Sequence, residues 1–307
     1  MVPGAAATSA QRKALKQNPE NRVSLAEFNR AIAAMKATQG RFEEDIASAK
    51  QEIIGQYKDQ QGFKKDFLDQ LKPEIEKNLA FLHDYKQFVA RVKQNINVVL
   101  KTHYGSGETE QLLSKALPSE VAIYWASSLM TEKLQTAFLL LHPERLQSPN
   151  TTVFRLHGMI TKYIRIYHSS FQEKEVKLEV QGESTGEIKG DPSAIGVIPQ
   201  TLLDNALKYS TRGAKVTVEF RDLADFIILS VTSYGPKINP DEKSKIFDLF
   251  YRGRNAIKAQ EEGAGFGLHL AQFVARSIDS EIVVHQKPLQ TRFGHETTFS
   301  VRFAREQ

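Results

Sequence analysis

The chain has 307 residues, of which 41% are hydrophobic and 25% charged, a composition typical of a globular protein with about two domains. The absence of cysteine excludes disulfide bonds, thiolate metal sites and a cysteine nucleophile, and a net charge of +5 without a basic stripe interleaved with aromatic residues argues against nucleic acid as a partner. No apolar run approaches about 18 residues and no basic segment precedes an apolar core at the N-terminus, so we expect no membrane span, no secretory signal and a cytoplasmic protein.

The first part of the chain has the pattern of long helices. Residues 1–22 are small and polar, and we expect them to be disordered, whereas residues 23–100 show apolar side chains at helical spacing. Gaps of three and four residues produce a narrow apolar seam of the kind found in helical bundles, formed by Leu68, Leu71, Ile75, Leu79, Leu82, Tyr85, Val89, Val92, Ile96 and Val99. Pro73 interrupts this seam, so we expect a kink or a restart of the helix there.

A turn and a second helix complete this region. The glycines and the serine of residues 103–108 predict a turn, and residues 109–146 then have the pattern of a second long helix. Residues 147–152 contain Pro, Asn, Ser and Thr and are typical of a linker. We therefore predict a helical hairpin domain for residues 23–146 and a domain boundary near residue 150.

Beyond the boundary, helical segments alternate with segments in which every second residue is apolar. Helices are predicted at residues 155–170, 192–209, 241–249 and 266–279, and strands at 176–180, 216–220, 227–231, 282–285 and 297–303. This alternation predicts an α/β sandwich for residues 147–307. The fold class of the whole chain is accordingly α+β, with a long helical hairpin first and the sandwich second.

A motif on one predicted helix has side chains suited to nucleotide binding. Within residues 201–210, Asn205 precedes Lys208 and Tyr209 by three and four positions, so these side chains share one helix face. An amide oxygen is a suitable neutral ligand for Mg²⁺, and the other two side chains can reach phosphate oxygens. The pattern alone is common on helices, so its meaning depends on what accompanies it.

A glycine-rich run follows about sixty residues later. Its three alternating glycines permit backbone turns that other residues do not allow. Their amides can surround an anion at the start of the next helix, where the helix dipole favours a phosphate group. The run consists of Gly263, Ala264, Gly265, Phe266, Gly267 and Leu268.

Residues 233–238 and 245–253 lie between these two motifs. In order and spacing, the four segments resemble the ATP-binding domain of sensor histidine kinases, within the superfamily that also contains gyrase and Hsp90-type ATPases, over roughly residues 150–305. The resemblance implies ATP as substrate and Mg²⁺ as cofactor, with Asn205 as the metal ligand and Arg252 as a contact of the γ-phosphate. The other nucleotide-binding residues that it implies are Lys208, Tyr209, Ser233, Gly235, Ile238, Gly263, Gly265, Gly267, Leu268 and Thr298.

Three positions depart from the family's pattern. Thr201 stands where many members have a second Asn, and Lys237 stands where they have the second glycine of an Asp-x-Gly-x-Gly segment. Ser233 replaces the Asp that accepts a hydrogen bond from the adenine amino group. A serine hydroxyl can still accept that bond, directly or through water, but it carries no charge. These departures bear on nucleotide affinity and above all on selectivity for adenine.

A histidine kinase also needs a nucleophilic histidine on a helix, and His83 has a suitable setting. The run from His83 through Asp84 and Lys86 resembles the His-Asp/Glu-x-Lys/Arg-Asn/Thr pattern of the family's dimerisation helix. A neutral imidazole attacks through one nitrogen while a carboxylate, here Asp84, fixes the tautomer at the other. Gln87 lies one turn after His83. It either orients a water that hydrolyses the phosphoaspartate of a response regulator, the protein that such kinases phosphorylate, or is an exposed helix residue. Phe88 stands where many members have Pro, so we expect an unkinked helix.

The favoured interpretation is a soluble histidine kinase. The resemblance implies a homodimer with one hairpin per subunit, autophosphorylation of His83 from Mg-ATP, and transfer to the aspartate of a response regulator. An upstream sensor protein, or the helical extension at residues 23–62, would supply the signal. The alternatives are a non-catalytic phosphotransfer or sensor scaffold, suggested by Ser233 and Thr201, and a Ser/Thr kinase of the same superfamily, in which Asp204 would have to act as the base.

Overall fold

The computed structural model of the protein describes residues 63–141, 150–260, 263, 265–289 and 294–306, with side chains from residue 84 to residue 139 in the first of these ranges. The predicted disordered tail at residues 1–22 and the predicted helical extension at residues 23–62 lie outside the described residues. Within the described part of the chain, none of the helices is long and apolar enough to cross a membrane.

Three helices form the first region: α1 (Phe63–Tyr104), α2 (Thr109–Leu113) and α3 (Pro118–Leu141). Helices α1 and α3 are antiparallel neighbours, since Lys86 Nζ lies 5.3 Å from the ring centroid of Phe138 and Lys93 Nζ lies 5.9 Å from that of Tyr124. Near the turn, a small apolar cluster is built on Ile96, Leu100 and Leu112. This arrangement places the described parts of the two long helices side by side, and the helical hairpin domain of residues 23–146 stays a prediction.

Two details of these helices differ from the sequence-based expectations. Helix α1 continues through Pro73, so the predicted restart there is wrong. Residues 109–146 were predicted as one helix, but α2 ends at Leu113 and α3 begins at Pro118. Proline is well suited to a first helical turn, which explains why the chain restarts there.

Glu120 closes the turn between α1 and α3. Its carboxylate lies 2.7 Å from His103 Nδ1 and accepts hydrogen bonds from Tyr104 Oη at 2.8 Å and from the amide of Leu117 at 3.0 Å. Burial opposes ionisation of this carboxyl, yet these hydrogen bonds hold its pKa below the ordinary value. The buried carboxylate therefore fixes the path of the chain between the two helices.

A five-stranded sheet dominates the second region. Its strand order is β2-β4-β5-β7-β6, in which β2 and β4 are parallel and the other neighbours antiparallel. Helices pack on one face, hereafter the inner face, and bury the alternate residues of the strands in one core. The strands are β2 (Lys177–Gln181), β4 (Lys215–Asp222), β5 (Phe226–Gly235), β6 (Ile282–Pro288) and β7 (His295–Ala304), and the main helices are α4 (Leu156–Glu173), α6 (Val197–Tyr209) and α8 (Gly267–Ser277).

A second, two-stranded sheet was not predicted. Strand β1 (Thr152–Arg155) pairs antiparallel with β3 (Glu187–Gly190), and β1 begins within the segment that was interpreted as a linker. Four-residue strands are too short to establish an alternation that sequence reading can recognise. Two short helices complete the region, α5 (Pro192–Ile195) and α7 (Arg254–Ala259).

The predicted helix at residues 241–249 is wrong. Two single 3₁₀ turns occupy this segment, Pro240–Glu242 and Lys245–Phe247. Side-chain to backbone hydrogen bonds compete with helix formation here, because the Glu242 carboxylate accepts bonds from the amides of Asn239 and Arg254.

Candidate nucleotide-binding site

Helix α6 presents Asn205 at the edge of the core. The helix buries Ile198, Leu202 and Ala206 against the sheet, which leaves Asn205 half-buried beside them. Its Nδ2 atom is buried and has no hydrogen-bond partner among the described residues. A buried polar atom without a partner costs about 1–3 kcal/mol, so this amide is placed to contact a group outside the described residues, such as a bound ligand.

The same amide suits a magnesium ion. Rotation about the last side-chain bond exchanges Oδ1 and Nδ2, so the position can present an oxygen ligand to a hard cation. Among the described residues no group of three or more His, Asp or Glu could hold a metal ion. A Mg²⁺ ion at Asn205 would therefore take its remaining oxygen ligands from phosphates and water, as this ion commonly does.

Asp204 ties the predicted phosphate contact Lys208 to the hairpin. The Nζ atom of Lys208 lies 2.7 Å from Asp204 Oδ2, and Lys133 Nζ of α3 lies 3.0 Å from Asp204 Oδ1. Burial of Asp204 opposes its ionisation, but the two ammonium groups hold its pKa below the ordinary value. Such a carboxylate is a poor general base.

The glycine-rich run meets α6 through Thr201. The Thr201 hydroxyl donates a long hydrogen bond of 3.5 Å to the carbonyl of Gly267, the first residue of α8. Gly265 has φ +74°, and a Cβ there would lie 2.8 Å from the carbonyl carbon of Phe250, so only glycine fits. Leu268 packs against the core. The residue that replaces the family's second Asn thus supports the glycine-rich segment.

Arg252 lies against the other end of the same run. Its Nη2 donates to the carbonyl of Gln260, and Gly263 lies beside its guanidinium. The predicted γ-phosphate contact and the predicted phosphate loop are therefore neighbours in space.

The segment that is predicted to bind the adenine base, residues 233–238 at the end of β5, packs on the end of α6. A Cβ at Gly235 would lie 2.3 Å from the carbonyl oxygen of Tyr209, so glycine permits this close approach. With the contacts of Thr201 and Arg252, this approach brings all four predicted motifs into contact with one another. Ile238 donates its amide to Gln286 Oε1 at 2.8 Å, a partner that the sequence did not reveal.

Strand alternation separates Thr297 from Thr298. Ser233 lies directly opposite Thr297, which is buried on the inner face. Thr298 lies on the other face of the sheet, where its hydroxyl is 2.9 Å from that of Thr232. This placement argues against the expectation that Thr298 contacts the nucleotide and favours its neighbour, because successive side chains of a strand point to opposite faces.

Glu242 stabilises residues 239–254, which follow the segment that is predicted to bind the base. Its buried carboxylate accepts hydrogen bonds from Asn239 Nδ2 at 2.7 Å, Tyr251 Oη at 3.1 Å, and the amide and Nε of Arg254 at 2.9 and 3.1 Å. Burial favours the neutral carboxyl, but the bonds from Arg254, Asn239 and Tyr251 lower the pKa of Glu242 to about 2. The capping pattern of an Asn followed three residues later by a Glu was the available signal.

A second polar cluster joins α3 to the sandwich. The buried Glu132 carboxylate accepts hydrogen bonds from Lys162 Nζ at 2.5 Å and Tyr163 Oη at 2.7 Å, both on α4. One turn further along α3, Thr136 Oγ1 donates to Gln200 Oε1 at 2.7 Å. Burial and the charge of Glu132 raise the pKa of Tyr163 well above its usual range, so this phenol stays a donor.

The predicted phosphoacceptor segment lies on α1, apart from the contacts that join the four nucleotide motifs. The side chains of Asp84 and Gln87 are exposed. The backbone of His83 is part of the helix, while its side chain lies outside the described residues. The role of these three residues therefore stays a prediction.

The chain is similar to one known ATPase family and to two proteins named as sensors. Residues 190–307 match the family of histidine kinase-, DNA gyrase B- and HSP90-like ATPases. The chain is 26% identical over 239 residues to the sensor-like histidine kinase SenX3 of Mycobacterium tuberculosis, covering 73% of this chain and 57% of that protein. It is 32% identical over 113 residues to the swarming motility regulation sensor protein RssA of Serratia marcescens, covering 36% of this chain and 24% of that protein.

The solved structure of the mycobacterial sensor histidine kinase MprB is also similar, with 21% identity and a TM-score of 0.43, covering 50% of this chain and 97% of that one. The chain spans little more than half the length of SenX3, at 57%.

Proposed function

We propose that this chain is an ATP-dependent protein-histidine kinase of a two-component system. Residues 190–307 match the family of histidine kinase-, DNA gyrase B- and HSP90-like ATPases, and the similar proteins SenX3 and RssA are named as a sensor-like histidine kinase and a sensor protein. In this proposal, residues 23–146 form the dimerisation and histidine phosphotransfer domain, and residues 147–307 form the ATP-binding domain. The homodimer would pair one helical hairpin from each subunit.

One observation supports the nucleotide site above the others. The buried Nδ2 of Asn205 has no partner in the described structure, and the same helix meets the glycine-rich run through Thr201. The side-chain amide of Asn205 can bind a metal ion, and the backbone amides of the glycine-rich run can bind an anion. A phosphate that is bound to a metal ion requires both kinds of group close together. Mg²⁺, when bound at Asn205, would neutralise phosphate charge during transfer.

His83 would then act as the nucleophile. One imidazole nitrogen forms a bond to the γ-phosphorus of ATP as the bond from that phosphorus to the bridging oxygen breaks, and ADP leaves with the electron pair. Asp84 holds the proton on the other ring nitrogen and stabilises the positive charge that forms. Arg252 and Lys208 contribute positive charge near the phosphates, which requires Lys208 to turn from Asp204 towards the nucleotide.

The phosphoryl group would pass to an aspartate of a response regulator. There a carboxylate oxygen forms a bond to phosphorus, and the bond between phosphorus and the His83 nitrogen breaks. Gln87 lies one helical turn from His83 and would orient a water that hydrolyses the phosphoaspartate of the regulator. In that separate reaction the water oxygen forms a bond to phosphorus, the bond from phosphorus to the aspartate oxygen breaks, and inorganic phosphate leaves.

The environment of Asp204 disfavours the Ser/Thr kinase alternative. Such an enzyme needs a carboxylate basic enough to remove a proton from a hydroxyl group, whereas Lys133 and Lys208 hold the pKa of Asp204 below its ordinary value and so make it a weak base. Ser233 in place of the usual Asp keeps the non-catalytic scaffold as the remaining alternative.

Incubation of the protein with γ-labelled ATP and Mg²⁺ tests the proposal. Wild-type protein and a His168→Ala control, altered at an exposed position of α4, should both incorporate label, whereas His83→Ala should not. Equal labelling of His83→Ala and wild type would exclude His83 as the acceptor, and no labelling of any form would favour the scaffold.

A further inference from the structure

A row of uncharged hydrogen-bonding side chains crosses three strands on the inner face of the sheet. Ser233 of β5 lies opposite Thr297 of β7, and Thr297 lies opposite Gln286 of β6. All three share the face that carries the helices, because they have the same strand parity as the buried residues Val231, Phe299 and Ile282. The end of the site where a purine base is expected is therefore lined by hydroxyl and amide groups.

The orientation of the Gln286 amide is fixed at both ends by the backbone. Its Oε1 accepts a hydrogen bond from the amide of Ile238 at 2.8 Å, and its Nε2 donates to the carbonyl of Pro236 at 3.1 Å. A flip would place a donor against an N–H group and an acceptor against a carbonyl, so only this orientation is satisfied. The side chain thus holds residues 236–238 in place as well as completing the row.

This orientation determines what Thr297 can offer. Gln286 Nε2 also donates to Thr297 Oγ1 at 2.7 Å, so the Thr297 oxygen acts as an acceptor in that bond. The Thr297 hydroxyl hydrogen remains available to be donated towards Ser233 or a ligand. The Ser233 hydroxyl, in turn, can either donate or accept. The row is consequently able to meet a ligand that donates a hydrogen bond and one that accepts it.

Adenine and guanine differ in this respect. The 6-amino group of adenine donates a hydrogen bond, whereas the 6-carbonyl of guanine accepts one. A carboxylate can only accept, so an Asp at this place would favour adenine and repel the guanine carbonyl. The Ser233 hydroxyl can accept a hydrogen bond from the adenine amino group, or donate one to the guanine carbonyl while it accepts from Thr297, so it can satisfy either base.

We propose that the nucleotide site of this protein accepts GTP as well as ATP, with Ser233, Thr297 and Gln286 as the residues that set this tolerance. The proposal rests on the proposed nucleotide function and on the position of Ser233 at the base. It assigns Thr297 a donor role towards guanine and gives Gln286 a positioning role.

Calorimetric titration of the full chain with Mg-ATP and Mg-GTP tests the proposal, with binding as the readout. We expect wild-type affinities for the two nucleotides to differ by no more than about tenfold, the equivalent of one ordinary hydrogen bond. Ser233→Asp should bind ATP at least as tightly as wild type and GTP at least about 100-fold more weakly than ATP, because it adds a charge opposite the guanine carbonyl.

Thr297→Val should weaken the binding of GTP more than the binding of ATP. Thr297→Ser, which keeps the hydroxyl, should bind both nucleotides as wild type does. Ser300→Ala is the control, since Ser300 lies on the same strand as Thr297 but on the other face of the sheet, where its hydroxyl is 2.9 Å from that of Ser230, and it should change neither affinity. Unchanged GTP binding by a folded Thr297→Val protein would refute the donor role of Thr297 towards guanine.

Two outcomes separate this proposal from the proposed function. Wild-type protein that binds ATP but rejects GTP by more than about 100-fold would overturn the base tolerance and leave the kinase proposal intact. Protein that binds both nucleotides without labelling His83 would leave the base tolerance intact and overturn the kinase proposal. Binding of neither nucleotide would overturn both.

Discussion

Replacement of Asn205 by alanine should separate activity from stability. The Asn205 Nδ2 atom is buried and makes no hydrogen bond to any described residue, so truncation breaks no bond of that atom to the described part of the chain. It also removes an unsatisfied buried group, whose penalty is about 1–3 kcal/mol. We therefore expect the free energy of unfolding to stay within about 1 kcal/mol of wild type or to rise.

Activity should respond in the opposite way. A metal ligand contributes to positioning and to charge stabilisation in phosphoryl transfer, and loss of one such group commonly lowers the rate about 100- to 1000-fold. The assay is the initial rate of label incorporation from γ-labelled ATP at saturating Mg²⁺, measured beside urea unfolding of the same samples.

Gln200→Ala is a suitable comparison on the same helix. Gln200 is buried and accepts a hydrogen bond from Thr136 at 2.7 Å, so its loss should lower stability by about 1–3 kcal/mol through the group left unpaired. If Asn205→Ala kept the wild-type rate, or if it lost more than about 2 kcal/mol of stability, the assignment of Asn205 as a ligand-facing residue would be refuted.

Three further changes test other parts of the structure. The pKa of Glu242 is about 2 in the folded protein, and the ordinary value is 4.5, so the stability that this carboxylate contributes is present above pH 4.5 and lost as the pH falls towards 2. Glu242→Gln should therefore be less stable than wild type at pH 7 in urea unfolding, and it should lose less stability than wild type on acidification. Glu132→Gln should weaken two charge-assisted contacts of α3 with the sandwich, and the amide hydrogens of α3 should then exchange faster. An unchanged exchange rate would show that these contacts do not stabilise α3. Gln87→Ala should slow dephosphorylation of the phosphorylated regulator while autophosphorylation persists, and an unchanged rate would leave Gln87 without that role.

Much of the sandwich was predictable because its elements are long enough to show a period. The helix with Asn205, Val197–Tyr209, lies within the predicted range 192–209, and the strand that carries Ser233, Phe226–Gly235, includes the predicted range 227–231. The four predicted nucleotide motifs contact one another through Thr201, Arg252 and Gly235, while their roles stay predictions.

The residues that sequence reasoning missed act through strand register or through distant partners. Gln286 and Thr297 matter because β6, β7 and β5 align them with Ser233, and no local pattern encodes that alignment. For the same reason Thr298 was chosen in place of its neighbour. Glu132 gave no signal because its partners on α4 are 30 and 31 residues away.

The central claim is that His83 accepts the phosphoryl group of ATP, and the chemical stability of the phosphorylated protein tests it most directly. A phosphoramidate on histidine is labile in acid and stable in base, whereas phosphate on serine or threonine is stable in acid. We expect label from γ-labelled ATP to be lost in acid, to survive base and to be absent from His83→Ala. Acid-stable label, or acid-labile label that persists in His83→Ala, would contradict the account.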